Sequence, residues 1–67
     1  MQISYKRLWK LLIDKDMNKT ALKDAAGISA TTIAKLGKNQ SISMESMIKI
    51  CKALGCDIGD IVEIVEE

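Results

Sequence analysis

From Ala25 to Met44 the sequence carries no carboxylate, and its only charged residues there are Lys35 and Lys38. Asn18, Lys19 and Thr20 precede this stretch, Ser29, Ala30, Thr31 and Thr32 lie inside it, and Asn39 follows Lys38. A stretch with two ammonium groups and no carboxylate suits contact with negative charge. It does not suit bond making. The chain has no His, no glycine-rich phosphate loop and no Cys/His metal spacing, and Asp14 and Asp16 fall on a charged, solvated segment. The composition therefore excludes an enzyme and implies no cofactor and no metal.

The formal net charge of +1 hides a polarity. Residues 1–52 hold all ten basic residues against four acids, a net +6, and residues 53–67 hold five acids and no base, a net −5. A basic face attracts a polyanion. Lys6, Arg7 and Lys10 read as a solvated face.

The elements that must position these groups are short and helical. Sixty-seven residues with 48% hydrophobic content, no Pro and four Gly make one domain, 1–67, with a compact core. The expected fold class is all-α, a bundle of four to five short helices, with short terminal strands left open. Ser4 is the expected N-cap of a first helix carrying Tyr5, Leu8, Leu11 and Leu12 on its core stripe, with Trp9 flanking. Asn18 caps a second helix through Ala26, with Leu22, Ala25 and Ala26 turned inward. Gly27 stops it in the left-handed conformation, and Ile28 plugs the corner. Ser29 caps a third helix from Ala30 to about Leu36, which buries Ile33 and Leu36. In the loop that follows, either Gly37 or Asn39 takes positive φ.

Ser43 caps a fourth helix with the stripe Met44, Met47, Ile48, Cys51 and Leu54. Gly55 ends it, and Asp57 caps a last turn, Ile58 to Val62. The tail Glu63-Ile64-Val65-Glu66 alternates like a strand, to pair with Gln2-Ile3 or with a second chain. Cys51 and Cys56, five apart across a helix end, point in different directions and read as free thiols of a reducing compartment, a disulfide being the alternative. No run reaches the roughly 18 apolar residues of a membrane span, and no secretion signal opens the chain, so a cytoplasmic location is expected.

Two short helices joined by a tight glycine turn form a helix-turn-helix. Leu22, Ala26, Ile28, Ile33 and Leu36 anchor its rear, leaving Ala30, Thr31, Thr32 and Lys35 facing out. Small hydroxyl residues at a helix start enter a major groove without clash. Thr can bond a base edge or touch a thymine methyl, and Lys can reach guanine O6 and N7.

The run Asn18-Lys19-Thr20-Ala21-Leu22-Lys23-Asp24-Ala25-Ala26-Gly27-Ile28-Ser29-Ala30-Thr31-Thr32-Ile33-Ala34-Lys35-Leu36 resembles the Cro/repressor-type (Xre-like) helix-turn-helix regulators, whose fold is lambda-repressor-like. The segment Ala53–Val62 resembles the end of that family's domain. The resemblance implies base contacts from Ala30, Thr31 and Lys35, with Thr32 nearer the backbone. It implies phosphate contacts from Asn18, Lys19, Thr20, Ser29, Lys38 and Asn39. Two departures stand out: Lys23 replaces the usual small residue between the motif helices, and Gly37 and Asn39 replace a usual Glu and Gly, which implies an early end to the third helix. The expected partner is double-stranded DNA carrying two half-sites, bound by a homodimer through the apolar tail Ile58, Ile61, Val62, Ile64 and Val65. No small-molecule ligand is expected. The alternative is a protein-interaction module that keeps the scaffold and uses the acidic C-terminal segment.

Overall fold

Four side chains set where the chain turns into helix. Asn18 Oδ1 accepts from the Ala21 amide at 2.8 Å, Ser29 Oγ from Thr32 at 3.1 Å and Ser43 Oγ from Ser46 at 3.1 Å. Asp57 and Asp60 form a reciprocal capping box on the last turn. The computed structural model, which describes residues 1–66, accordingly contains α1 (Lys6–Asp14), α2 (Lys19–Ala26), α3 (Ala30–Gly37), α4 (Met44–Leu54) and a 3₁₀ turn at Ile58–Asp60. Two short strands, β1 (Gln2–Ser4) and β2 (Glu63–Val65), pair antiparallel with Gln2 opposite Val65. The alternating tail thus finds its partner within the chain. Helices end where a residue accepts left-handed backbone: Gly27 at φ 68° and Gly55 at φ 65°.

One core joins all four helices. Tyr5, Leu8 and Leu12 meet Leu22 and Ile28 of the helix-turn-helix, Leu36 of α3, Met47, Ile50 and Leu54 of α4, and Ile61 after the last turn. All ten are buried, and α2 packs chiefly on α4.

Several expectations need correction. Ser4 belongs to β1, so α1 begins one residue later at the cap position of Tyr5, and Ser4 Oγ only accepts a long 3.3 Å bond from Lys6. Ala25 is exposed. Met44 and Ile48 are 58% and 57% exposed, and Ile50, absent from the expected stripe, is fully buried instead. The buried stripe of α4 is thus Met47, Ile50 and Leu54, rotated away from the expected one. The last turn stops at Asp60, short of Val62. Cys51 and Cys56 are free thiols, as expected, and both are half-buried on either side of the Gly55 turn. Burial is the main cause that raises both thiols above their ordinary range.

The apolar tail is consumed at home. Ile61 is fully buried, Ile58, Val62 and Val65 are half-buried, and Ile64 alone of the five lies exposed. Arg7 fastens this end to α1, donating from its Nη1 to the Gly59 carbonyl at 2.9 Å and pairing through its Nε with Glu63 at 3.2 Å. Both side chains of that pair are partly exposed, so its contribution to stability is small.

Tyr5 pins the loop behind α3. Its hydroxyl donates to the Gln40 carbonyl at 2.7 Å while its ring sits in the core. Tyr5→Phe is expected to cost about 1–2 kcal/mol in urea denaturation, because the half-buried carbonyl loses its donor. Burial also raises the phenol above its ordinary value of 10.0. Only the unfolded chain ionises freely there, so stability is retained below pH 10.0 and lost as the pH rises beyond it.

Candidate nucleic-acid interface

The turn between α2 and α3 is three residues long: Gly27, Ile28 and Ser29. Gly27 and Ile28 both donate their amides to the Lys23 carbonyl, at 2.9 and 3.2 Å, and Ile28 then drops into the core. Leu36 at the far end of α3 is buried, and Ile33 one turn earlier is half-buried against the core. These two anchors hold α3 by one side. The other side carries Ala30, Thr31, Ala34 and Lys35, all exposed. Thr31 and Lys35 stand four apart, hence one above the other on a helical surface.

Thr32 differs from its neighbours. It is half-buried, and its hydroxyl lies 3.0 Å from Ser29 Oγ, so the cap of α3 already engages it. Ser29 in turn spends its oxygen on the Thr32 amide. At α2 the Asn18 Oδ1 is likewise occupied by the Ala21 amide, which leaves Asn18's side-chain NH₂ and the exposed Thr20 at that helix start.

The third helix ends later than expected, not earlier. Gly37 is its last helical residue, and Asn39 at φ 56° makes the left-handed turn that a glycine usually makes. The Gln40 amide reaches back to the Lys35 carbonyl at 2.9 Å, closing the helix end. Lys38 and Asn39 are exposed just beyond α3, but Asn39 Oδ1 is turned toward the Tyr5 amide at 3.4 Å, a long contact with the start of α1. Lys23, where a small residue is usual, is half-buried.

Two contacts at this face were not visible in the sequence. Lys19 Nζ stands 4.8 Å from the centroid of the Trp9 ring. It also lies where a Cβ on Gly37 would come within 3.5 Å, so the first residue of α2 touches the last of α3. Trp9 had the spacing of a flanking residue, and nothing local linked it to Lys19.

The face is therefore cationic and rich in donors, with no carboxylate between Ala25 and Met44. Of the C-terminal acids, Glu63 pairs with Arg7, and Asp57 and Asp60 cap the last turn. Among the described residues no helix is long and apolar enough to cross a membrane.

A tight glycine turn, a capped and half-exposed α3 and this charge pattern define a helix-turn-helix, and residues 7–67 match the Cro/C1-type HTH DNA-binding domain. The chain belongs to that family. It is similar to an uncharacterised HTH-type transcriptional regulator of Bacillus subtilis (strain 168), YozG, at 38% identity over 55 residues. That match covers 79% of this chain and 66% of the relative, just under two thirds of its length. It is also similar to the crystal structure of the transcriptional regulator VanUg, with 52% identity and a TM-score of 0.93 over 98% of this chain and 88% of the other.

Proposed function

We propose that this protein is a sequence-specific DNA-binding transcription regulator of the repressor type, acting in the cytoplasm, with Ala30–Leu36 of α3 lying in the major groove. The exposed Thr31–Lys35 face of α3, backed by the buried Leu36, carries the reading. An eight-residue helix is about 12 Å long, close to the width of that groove. Thr31 and Lys35 supply base contacts and Ala30 at most a methyl contact. Thr32 and Ser29, which bond each other, lie nearer the sugar-phosphate backbone. Asn18, Lys19, Thr20, Lys38 and Asn39 meet phosphates on either side.

A single helix reads few base pairs, so two copies on half-sites about 34 Å apart supply affinity and specificity. One domain measures 32 × 24 × 17 Å, so two abutting copies span that interval. The surface left for a second copy is smaller than the tail's composition suggested. Ile64 on the sheet is exposed, as are Met44 and Ile48 on α4.

Selection of bound sequences from a random duplex pool tests the reading, followed by titration across salt. A two-half-site consensus is expected, with log K falling by about 0.9 per log unit of salt for each phosphate neutralised. Lys38→Ala is expected to weaken all duplexes alike and to reduce that slope by about one phosphate. No enrichment together with a flat salt profile would overturn the proposal in favour of a protein-interaction module on the same scaffold.

A further inference from the structure

Lys19 is the first residue of α2, where the positive end of the helix dipole disfavours a cation. Its ammonium turns away from that end. It rests over the Trp9 ring, 4.8 Å from the centroid, and beside the last turn of α3, whose terminal carbonyls favour positive charge. The ammonium lies near Gly37, 3.5 Å from where a Cβ on that residue would stand, which is ordinary contact distance. No carboxylate neutralises the group: among the described residues the single salt bridge is Arg7 with Glu63. The indole is half-buried, so its position is fixed by the core that α1 contributes.

A lysine on an open surface samples many rotamers and loses that freedom on meeting a phosphate. Here the ring restricts the side chain beforehand and leaves the charge intact, since an aromatic face attracts a cation without compensating it. The stack also joins α1 to the junction of α2 with α3, so the charge keeps a fixed relation to the reading face. On the reading that α3 enters the groove, we infer that Trp9 is a positioning residue for DNA binding, holding the Lys19 ammonium ready for a backbone phosphate. Trp9 itself need touch no DNA.

A double-mutant cycle on one labelled mixed-sequence duplex tests this, with Trp9→Leu, Lys19→Ala and the pair, each first shown to be folded by thermal melting. Each single variant is expected to weaken binding about two- to fivefold, the range of an exposed cation–aromatic contact. The pair is expected to be no weaker than Lys19→Ala alone, and Trp9→Phe to recover part of the loss. Both single variants are also expected to lower the salt slope, which a change in fold stability alone does not move. Wild-type affinity and slope in Trp9→Leu, or losses that multiply in the pair, would overturn the positioning role while leaving DNA binding intact. Should Trp9→Leu fail to fold, Trp9→Phe carries the same cycle against Lys19→Ala. If the unaltered protein shows no salt-dependent binding, the DNA-binding reading fails and this role falls with it.

Discussion

Leu36→Ala is expected to destabilise the domain by about 2–5 kcal/mol, read as the shift of a urea or thermal unfolding transition. Leu36 is 1% exposed and is the one fully buried side chain of α3. Truncation removes buried methyl groups and leaves a cavity in the shared core. A domain of this length has a total stability of roughly 3–10 kcal/mol at the usual 0.05–0.15 kcal/mol per residue. The substitution therefore removes a large fraction of it and can leave the unfolded chain dominant at 37 °C. The effect on α3 is more specific than the effect on the core. With Ile33 only half-buried, α3 has no second strong anchor, and its tilt against α2 loses definition. Residual folded protein at low temperature is expected to bind DNA more weakly than its folded fraction alone accounts for. An unfolding midpoint within measurement error of the parent would contradict the central place given to Leu36.

The second large effect concerns sequence preference. Thr31→Ala and Lys35→Ala are expected to change discrimination at the positions they read by about 1–3 kcal/mol each. Both side chains are exposed on one face, and neither has a hydrogen bond within the described residues, so their removal should leave the fold unchanged. The measurement is competition between the selected duplex and single-base variants of it. A lost guanine preference is expected for Lys35→Ala, and a lost preference at an adjacent pair for Thr31→Ala. Uniform weakening across all variants would instead assign both residues to the backbone. Thr32→Ala provides the contrast. Its hydroxyl is engaged by Ser29, so its loss should disturb the cap of α3 before it disturbs any base preference.

The parts of this architecture that are local in origin could be read in the sequence. Asn18, Ser29, Ser43 and Asp57 each satisfy an amide two or three residues away or nearer, so residue type and position were enough. Gly27 and Gly55 followed from backbone freedom alone. The larger failures are non-local. Ser4 is as good a cap as the others, but pairing of Ser4 with Glu63 from the other end of the chain holds it in a strand. The α4 stripe was ambiguous because Met44-Met47-Ile48 and Met47-Ile50-Leu54 both satisfy helical spacing. The packing of α2 on α4 chose the second. The apolar tail looked excessive because its partners, on α1 and β1, could not be counted from its own sequence. At the interface, the family resemblance marked Lys19 and Asn39 as phosphate contacts. Their actual neighbours, Trp9 and the Tyr5 amide, became apparent only from the fold.

The pairing of β1 with β2 bears on the order in which this molecule assembles. Its partners are roughly sixty residues apart, and closing a loop of that length costs about 3.6 kcal/mol of chain entropy by the (3/2)RT ln n rule. The helix-turn-helix contacts close far shorter loops and are free to form first. The ribbon is therefore expected to join last and to fray first in the native state. Ile61 limits the fraying: at 1% exposure it wedges the chain into the core two residues before β2 begins. Both ends can breathe on a fast timescale while α2 and α3 stay locked, so amide exchange should be quick at Ile3 and Ile64 and slow at Leu22 and Leu36. The reading helix is thereby insulated from whatever pulls on the ends of the chain.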